Sequence, residues 1–182
     1  MEDLSLHILD IVENAISAKA KKIEISVVEE PGEDRLTIEI KDDGMGMDQE
    51  VTQKAVDPFY TTRSSRRVGL GLSFMAQAAQ EAGGSLRIES TLGKGTKVTA
   101  TFQYHHIDRK PLGSMVETMM TLLTGNPELE ILYSHQKEGK SYVLSSSLLK
   151  NHFKDRPLVD PEVIQWMKTH LQQGLKQIGV QG

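Results

Sequence analysis

The sequence predicts an α+β fold, a two-layer sandwich in which helices pack on one face of a sheet. Three observations lead to this prediction. Apolar residues recur at helical spacing in some segments, they alternate with polar residues in others, and clusters of Gly, Pro and Asp separate the segments. Residues 1–104 therefore give the order α-β-β-α-α-β-β, which is typical of a sheet layered with helices.

Residue spacing predicts the first helix and the first pair of strands. An apolar stripe at helical spacing predicts a helix over residues 3–20, with Asp3 as a candidate N-cap. Strict alternation predicts strands over residues 22–29 and 35–41. The Pro-Gly turn at residues 31–34 indicates that these two strands form an antiparallel pair.

The next elements follow from their terminating residues. A short helix is expected to end before Pro58, a longer helix ends at the pair Gly83-Gly84, and a loop around Gly93 joins two more strands. These elements are predicted over residues 48–56, 70–82, 85–90 and 96–102.

The chain is predicted to divide after residue 104. Residues 105–182 begin with a polar linker and contain no recognisable chemical motif, so we expect a small C-terminal α/β extension of unknown role. Its predicted elements are a helix, a hairpin and two further helices, over residues 112–124, 129–144, 146–153 and 160–177. Asp160 followed by Pro161 is a start signal for the last helix.

Composition restricts the class of protein. The 182 residues are 38% hydrophobic and carry a net charge of −4, which argues against a dedicated nucleic-acid-binding protein. The absence of cysteine excludes disulfides, thiolate metal sites and a cysteine nucleophile. No apolar run is long enough for a membrane span, and the start of the chain lacks the layout of a signal peptide, so we expect a cytoplasmic protein.

Two polar motifs lie beside the first predicted elements. Asp10 and Asn14 are four residues apart, so both side chains project from one face of the first helix, where they can orient a water and a metal ion. Asp42 follows a strand and precedes Gly44 and Gly46, which allows a carboxylate to accept a hydrogen bond from an adenine amine. Each motif taken alone is more often a solvated helix face or an ordinary Asp-Gly turn.

A third motif opens the helix at residue 70. Gly69 and Gly71 flank its start, where free backbone amides attract phosphate. The spacing matches neither a P-loop nor a dinucleotide-binding fingerprint. Arg63 and Arg67 lie in the preceding irregular segment and can contact phosphate oxygens, although a solvated basic loop is an equal alternative.

As a set, in this order and spacing, the motifs resemble those of the GHKL superfamily of ATP-binding proteins, also called the Bergerat fold. Residues 10–14 resemble its N box, residues 42–46 its first glycine box, and residues 69–72 its second. Residues 59–63 are similar to the phenylalanine box of histidine kinases. The resemblance covers residues 4–104 and implies a mixed, mainly antiparallel sheet with helices on one face.

The resemblance implies roles in holding the base and the metal. Asn14 would coordinate Mg²⁺, and Asp42 would hold the adenine amine with Thr96 nearby through a water. Gly44 and Gly46 would shape the floor of the pocket. ATP and Mg²⁺ are therefore the expected ligands.

The resemblance also implies a phosphate site and a lid. Gly69 and Gly71 would present backbone amides to the phosphates, and residues 57–68 would form the lid over the nucleotide. The further nucleotide contacts that it implies are Phe59, Thr61, Thr62, Arg63, Arg67, Leu70 and Leu72.

The chain departs from the family pattern in three places. Asp10 stands where the general base is commonly Glu, and a side chain one methylene shorter displaces the carboxylate by about 1 Å, which can cost roughly a hundredfold in rate. Arg67 replaces a glycine that is usual in kinases, and the lid is short. The first departure argues against fast hydrolysis more than against ATP binding.

The resemblance leaves three functions open. No helical hairpin with a phosphoacceptor histidine precedes the first helix, so we expect a kinase-like regulator similar to anti-sigma factor serine kinases, acting on an external partner protein. A non-catalytic ATP- and ADP-sensing module is the second interpretation. The third is a dimeric ATPase that gates a larger complex; Met119, Met120, Leu122, Leu123 and Trp166 would then face a partner, although local core is the more usual place for such residues.

Overall fold

The computed structural model describes residues 3–57 and 70–181. Its helices are α1 (Leu4–Ser17), α2 (Gln49–Lys54), α3 (Leu70–Glu81), α4 (Met115–Gly125), α5 (Ser146–Phe153) and α6 (Pro161–Gln177). Its strands are β1 (Lys22–Glu30), β2 (Arg35–Asp42), β3 (Ser85–Thr91), β4 (Gly95–Gln103), β5 (Glu130–Lys137) and β6 (Lys140–Ser145). The predicted elements within these residues are confirmed, with ends that differ by a few residues.

The strands form one six-stranded sheet in the order β3-β4-β2-β1-β5-β6. The pairs β1–β2, β2–β4, β3–β4 and β5–β6 are antiparallel, and β1–β5 is parallel. The sheet is therefore mixed and mainly antiparallel, which confirms the predicted α+β two-layer fold.

Alternation in the strands separates a buried face of the sheet from a polar one. In β1, residues 23, 25, 27 and 29 are buried while the residues between them are partly exposed. β2, β4 and β5 repeat this pattern in register, so apolar side chains line one face across the sheet. Helices α1 and α3 contact each other and the sheet, and α4 contacts both α1 and α6, which closes the core.

The start of α1 differs from the prediction. Asp3 occupies the N-cap position, but its side chain makes no capping hydrogen bond. Instead the backbone N–H groups of Leu4 and Ser5 donate to the carbonyls of Pro111 and Leu112, at 3.0 and 2.8 Å. These donors need partners wherever a helix starts, and here the tertiary fold brings the linker carbonyls to them.

The C-terminal segment completes the sheet begun by the first half. β5 lies beside β1, near the middle of the sheet, and α4 packs against α1. Four of the apolar residues considered as partner-facing, Met119, Met120, Leu122 and Leu123, are buried in the core. Trp166 is 37% exposed and stacks on His170, with ring centroids 4.6 Å apart. The division after residue 104 stays a prediction.

Candidate nucleotide site

Asp42 ends β2 on the face of the sheet that carries the helices. Its Oδ1 accepts a hydrogen bond from the Gly44 backbone N–H at 2.8 Å. Burial raises the pKa of the Asp42 carboxyl, although hydrogen bonds from the backbone N–H groups of Gly44 and Thr96 act in the opposite direction. Backbone donors thus orient a half-buried carboxylate where a ligand can reach it.

Two hydroxyls continue the row that Asp42 begins. Thr96 in β4 is the cross-strand partner of Asp42, and Ser90 in β3 is the partner of Thr96. Their hydroxyl oxygens lie 2.8 Å apart. Ser90 Oγ also accepts from the Met47 backbone N–H at 2.8 Å and donates to the Gly95 carbonyl at 3.1 Å. The end of the sheet therefore presents three polar side chains in line.

Gly44 and Gly46 lie where side chains do not fit. Gly46 has a φ of +67°, and a Cβ added there would lie 2.1 Å from the Thr91 carbonyl oxygen. A Cβ at Gly44 would lie 2.8 Å from the Ala18 carbonyl oxygen. The loop after Asp42 is thus packed tightly between the end of α1 and the β3–β4 hairpin, as expected for the floor of a pocket.

Asn14 projects from α1 toward the same region. Its amide nitrogen Nδ2 is buried, and within residues 3–57 and 70–181 no hydrogen-bond partner for it is found. A buried donor of this kind costs free energy unless an acceptor reaches it. A phosphate oxygen would satisfy Nδ2, and the amide oxygen remains available to a hard cation such as Mg²⁺.

Helix α3 begins against α1 at Asp10. A Cβ added to Gly71 would lie 2.5 Å from the Asp10 Cβ, so only glycine permits this approach. Leu70 is the first residue of α3, and Leu72 is buried and lines the cavity described below. Asp10 itself is exposed. The first turn of α3 therefore lies next to the helix that carries Asn14.

A cavity of about 490 Å³ lies between these elements. Five predicted ligand contacts line it: Asn14, Asp42, Gly46, Leu72 and Thr96. Four other predicted site residues are not in the lining: Gly44, which precedes Met45 and Gly46 in the loop, Leu70, which begins α3, and Asp10 and Gly71, which meet where α1 contacts α3. Six predicted contacts lie outside the described residues, namely Phe59, Thr61, Thr62, Arg63, Arg67 and Gly69.

Several lining residues were missed by the sequence analysis. Ile11, Ala15 and Ala18 line the cavity, and their spacing from Asn14 places them on the same face of α1, which is a signal that could have identified them. Met45 and Met47 flank Gly46 and line the cavity as well. They give the pocket an apolar wall, which suits the flat face of a base.

The side chains around the cavity suit a metal ion that is also bound by phosphate better than a metal ion bound by protein ligands alone. Across residues 3–57 and 70–181 no group of three or more His, Asp or Glu side chains is arranged around a common point. Mg²⁺ bound to a nucleotide needs only one or two protein ligands, and Asn14 can supply one.

Across residues 3–57 and 70–181, no helix has the length and apolar character needed to cross a membrane.

Comparison with protein families gives a match over the same region. The profile of the family described as "Histidine kinase-, DNA gyrase B-, and HSP90-like ATPase" matches residues 2–106, which is more than half of the chain. The matched region contains α1, the three-residue polar row and the start of α3. The cavity therefore lies within the matched residues.

Similar curated proteins are sensor proteins and kinases. A putative sensor protein of Shewanella frigidimarina is 35% identical over 97 residues, which cover 52% of this chain and 15% of that protein. The sensor histidine kinase WalK of Bacillus subtilis is 32% identical over 111 residues, covering 57% of this chain and 18% of that protein. The chain thus spans less than a fifth of the length of either relative.

Two solved structures are similar to this chain in fold. The N-terminal domain of a DNA repair protein matches with a TM-score of 0.54 and 20% identity, over 80% of this chain and 53% of that chain. The MutL ATPase domain of Aquifex aeolicus complexed with ADP matches with a TM-score of 0.50 and 21% identity, over 84% and 67%. These coverages exceed residues 2–106, so the shared fold includes part of the C-terminal segment.

Proposed function

The chain belongs to the histidine kinase-, DNA gyrase B-, and HSP90-like ATPase family, and from that premise we propose that it binds Mg-ATP and regulates a partner protein. The regulator would either phosphorylate the partner or bind it in a nucleotide-dependent manner. We propose the anti-sigma factor serine kinases, whose acceptor is another protein, as the functional type to test first. We also propose that the protein is cytoplasmic and forms a homodimer.

The observation that carries the proposal is the convergence of Asn14, Asp42 and Thr96 on one cavity. Asp42 would accept a hydrogen bond from the adenine amine, and the buried Asn14 amide would meet a phosphate oxygen and the metal. When bound, Mg²⁺ neutralises phosphate charge. Phosphoryl transfer needs mainly positioning and charge neutralisation, so a site of this kind supports it without a covalent enzyme intermediate.

Asp10 supports a second candidate function, a non-catalytic sensor of ATP and ADP. Its carboxylate lies on an exposed part of α1 and is one methylene shorter than the Glu that commonly serves as the base. A base displaced by about 1 Å can lose roughly a hundredfold in rate while ground-state binding is retained. ATP would then act as a ligand that changes partner affinity rather than as a substrate.

The test uses the full chain with γ-labelled ATP, Mg²⁺ and candidate partner proteins, together with partner affinity measured in ATP, ADP or no nucleotide. We expect label transfer to the partner or an affinity that depends on the nucleotide. If no label is transferred and the partner affinity is the same in ATP, in ADP and without nucleotide, the proposed regulatory function is wrong.

Phosphate release by wild type and Asp10→Glu separates the two candidates. If wild type releases no phosphate and the Asp10→Glu variant does, the result supports the sensor. Substantial and equal turnover in both would contradict it.

A further inference from the structure

Ser90 connects three structural elements and contacts Thr96, which lines the cavity. It lies in β3, accepts from the Met47 N–H of the loop after β2, and donates to the Gly95 carbonyl at the start of β4. Its oxygen is also 2.8 Å from Thr96 Oγ1. The sequence analysis treated Ser90 only as part of a strand and assigned it no role.

Counting protons gives a direction to the Ser90–Thr96 hydrogen bond. A hydroxyl donates one hydrogen bond and accepts up to two. Ser90 gives its proton to the Gly95 carbonyl, which can only accept, and uses one lone pair for the Met47 N–H. The 2.8 Å contact with Thr96 is then donated by Thr96. Ser90 is fully satisfied, and the Thr96 oxygen keeps only lone pairs for other partners.

As a consequence, the side chains at the end of the sheet offer a ligand only hydrogen-bond acceptors. Asp42 is the cross-strand neighbour of Thr96, and its carboxylate, when ionised, also only accepts. Both side chains line the cavity. An exocyclic amine placed here donates to these acceptors, whereas a carbonyl oxygen at the same place would be an acceptor facing acceptors.

We propose that Ser90 is a specificity-determining residue that makes the cavity select a purine with a 6-amino group over one with a 6-oxo group. This inference rests on the proposed ATP site. Ser90 acts through Thr96: by accepting the Thr96 proton, it prevents that hydroxyl from turning to donate toward a 6-oxo oxygen. A site built around one hydrogen-bonding pattern rejects an analogue with the reversed pattern because buried polar groups are left unpaired.

The test compares the affinities of the full chain for ATP and for inosine triphosphate, which carries a 6-oxo group and an N1 hydrogen in place of the 6-amine. In Ser90→Ala the Thr96 hydroxyl is released and can donate. We expect the preference for ATP over inosine triphosphate to narrow by about 3- to 10-fold, the range of one hydrogen bond. Calorimetric titration of both nucleotides measures the ratio.

Ser85→Ala is the matched control. Ser85 lies on the same strand and faces Thr101, its cross-strand partner, with hydroxyl oxygens 3.4 Å apart. Ser85 is exposed, however, and Thr101 does not line the cavity, whereas Thr96 does. We expect the ATP preference of this variant to equal that of wild type. If Ser90→Ala does not fold, Ser90→Cys keeps the size of the side chain, weakens its hydrogen bonds and should narrow the ratio in the same direction.

The outcomes separate this inference from the proposed function. If wild type binds no ATP, the proposed function fails. The inference is wrong if wild type binds ATP but Ser90→Ala lowers the affinities for ATP and inosine triphosphate by the same factor, or changes neither. Ser90 then does not set base selectivity. In a Thr96→Val background, Ser90→Ala should not change the ratio of the two nucleotide affinities any further. If Ser90→Ala changes this ratio as much in that background as it does alone, Ser90 does not act through Thr96.

Discussion

Asp42 shows how two opposing effects act on one carboxylate. Burial raises its pKa, while backbone N–H groups from Gly44 and Thr96 stabilise the charged form, and the net direction is upward. Its neighbour Asp43 differs: its Oδ1 accepts from the Lys21 and Lys22 N–H groups at 2.8 and 2.9 Å, and hydrogen bonding lowers its pKa. Adjacent acids therefore have different tasks, since Asp42 faces the cavity and Asp43 fixes the start of β1.

Asp42→Asn is expected to weaken ATP binding by about 1–3 kcal/mol, the contribution of a hydrogen bond to a charged group. Because the folded-state pKa of Asp42 is raised, protonation begins at a higher pH than for an ordinary aspartate. Wild-type affinity should therefore fall with decreasing pH through this raised pKa, and that component should be absent from the variant. Calorimetric titration of both proteins across the acid range measures it.

Asp43→Asn is the control for Asp42→Asn, because it removes a neighbouring charge without removing a cavity contact. It should keep the ATP affinity of wild type while lowering thermal stability. Equal ATP affinity of wild type and Asp42→Asn would remove the adenine assignment.

The parallel pairing of β1 with β5 contains a buried polar network. Glu29 Oε1 and His135 Nε2 are 2.7 Å apart, and Tyr104 Oη donates to Glu29 Oε2 at 2.9 Å. His135 Nδ1 lies 2.7 Å from Tyr133 Oη, and burial raises the pKa of that phenol so that it remains a donor. A one-residue slip of β5 would turn His135 to the other face of the sheet and leave Glu29 Oε1 without this partner. The network therefore specifies the register of β5 on β1.

Glu29→Gln should lower the free energy of unfolding at neutral pH by about 1.5–3 kcal/mol, as for the loss of charge-assisted hydrogen bonds. Burial alone would raise the pKa of Glu29, but hydrogen bonds from His135 and Tyr104 lower it overall. A lowered folded-state pKa contributes stability above the ordinary pKa of about 4.5, and that stability is lost as pH falls through the folded-state value. Chemical denaturation should show a flatter acid-range profile for the variant.

Glu39→Gln provides the comparison for Glu29→Gln. Glu39 also lies in a strand and pairs with Lys97 at 3.2 Å, but the side chain is 37% exposed. An exposed pair of this kind is worth about 0.2–1 kcal/mol. If Glu39→Gln lowers the free energy of unfolding as much as Glu29→Gln does, burial does not determine how much the Glu29 network contributes to stability.

The two halves of the chain share one core and one sheet. β5 covers an edge of β1, α4 packs on α1, and linker carbonyls satisfy the first N–H groups of α1. α1 carries Asn14, so the C-terminal segment supports the helix that reaches the nucleotide cavity. Folding of residues 1–104 and formation of the site are therefore expected to depend on residues 105–182.

Truncation after Tyr104 should abolish cooperative thermal unfolding. Ile23 and Ile25 would lose their partners in β5, and Glu29 would lose His135. Exposing a buried aliphatic side chain costs about 1.5–3 kcal/mol, and several such losses approach a whole domain stability of about 5–15 kcal/mol. Circular dichroism of the fragment on heating is the measurement. A cooperative transition with full-length ATP affinity would show instead that residues 105–182 are dispensable.

Local patterns were sufficient for the elements and for part of the site. The alternation of β1 and the Asp160-Pro161 start of α6 depend on neighbours in sequence, and both predictions are confirmed; the Asp160 side chain accepts from the Glu162 N–H at 2.9 Å. Asp3 occupies the predicted N-cap position, but its side chain does not cap α1, and the acceptors for the first N–H groups come from residues more than a hundred positions away. Ser90 was missed because its three hydrogen bonds depend on the pairing of β3 with β4 and on the loop before α2.

By itself, the sequence determined which residue types stand at helix faces, strand ends and glycine turns, because these depend on periodicity and on backbone conformation over a few residues. It was therefore enough to predict the α+β fold and the family resemblance carried by Asn14, Asp42 and the glycines. Only the tertiary structure decided that Asn14, Asp42 and Thr96 line one cavity, that the C-terminal segment joins the same sheet, and that Ser90 directs the Thr96 proton. Each of these depends on contacts between segments far apart in the chain, and their distances and hydrogen-bond directions arise only when the strands pair.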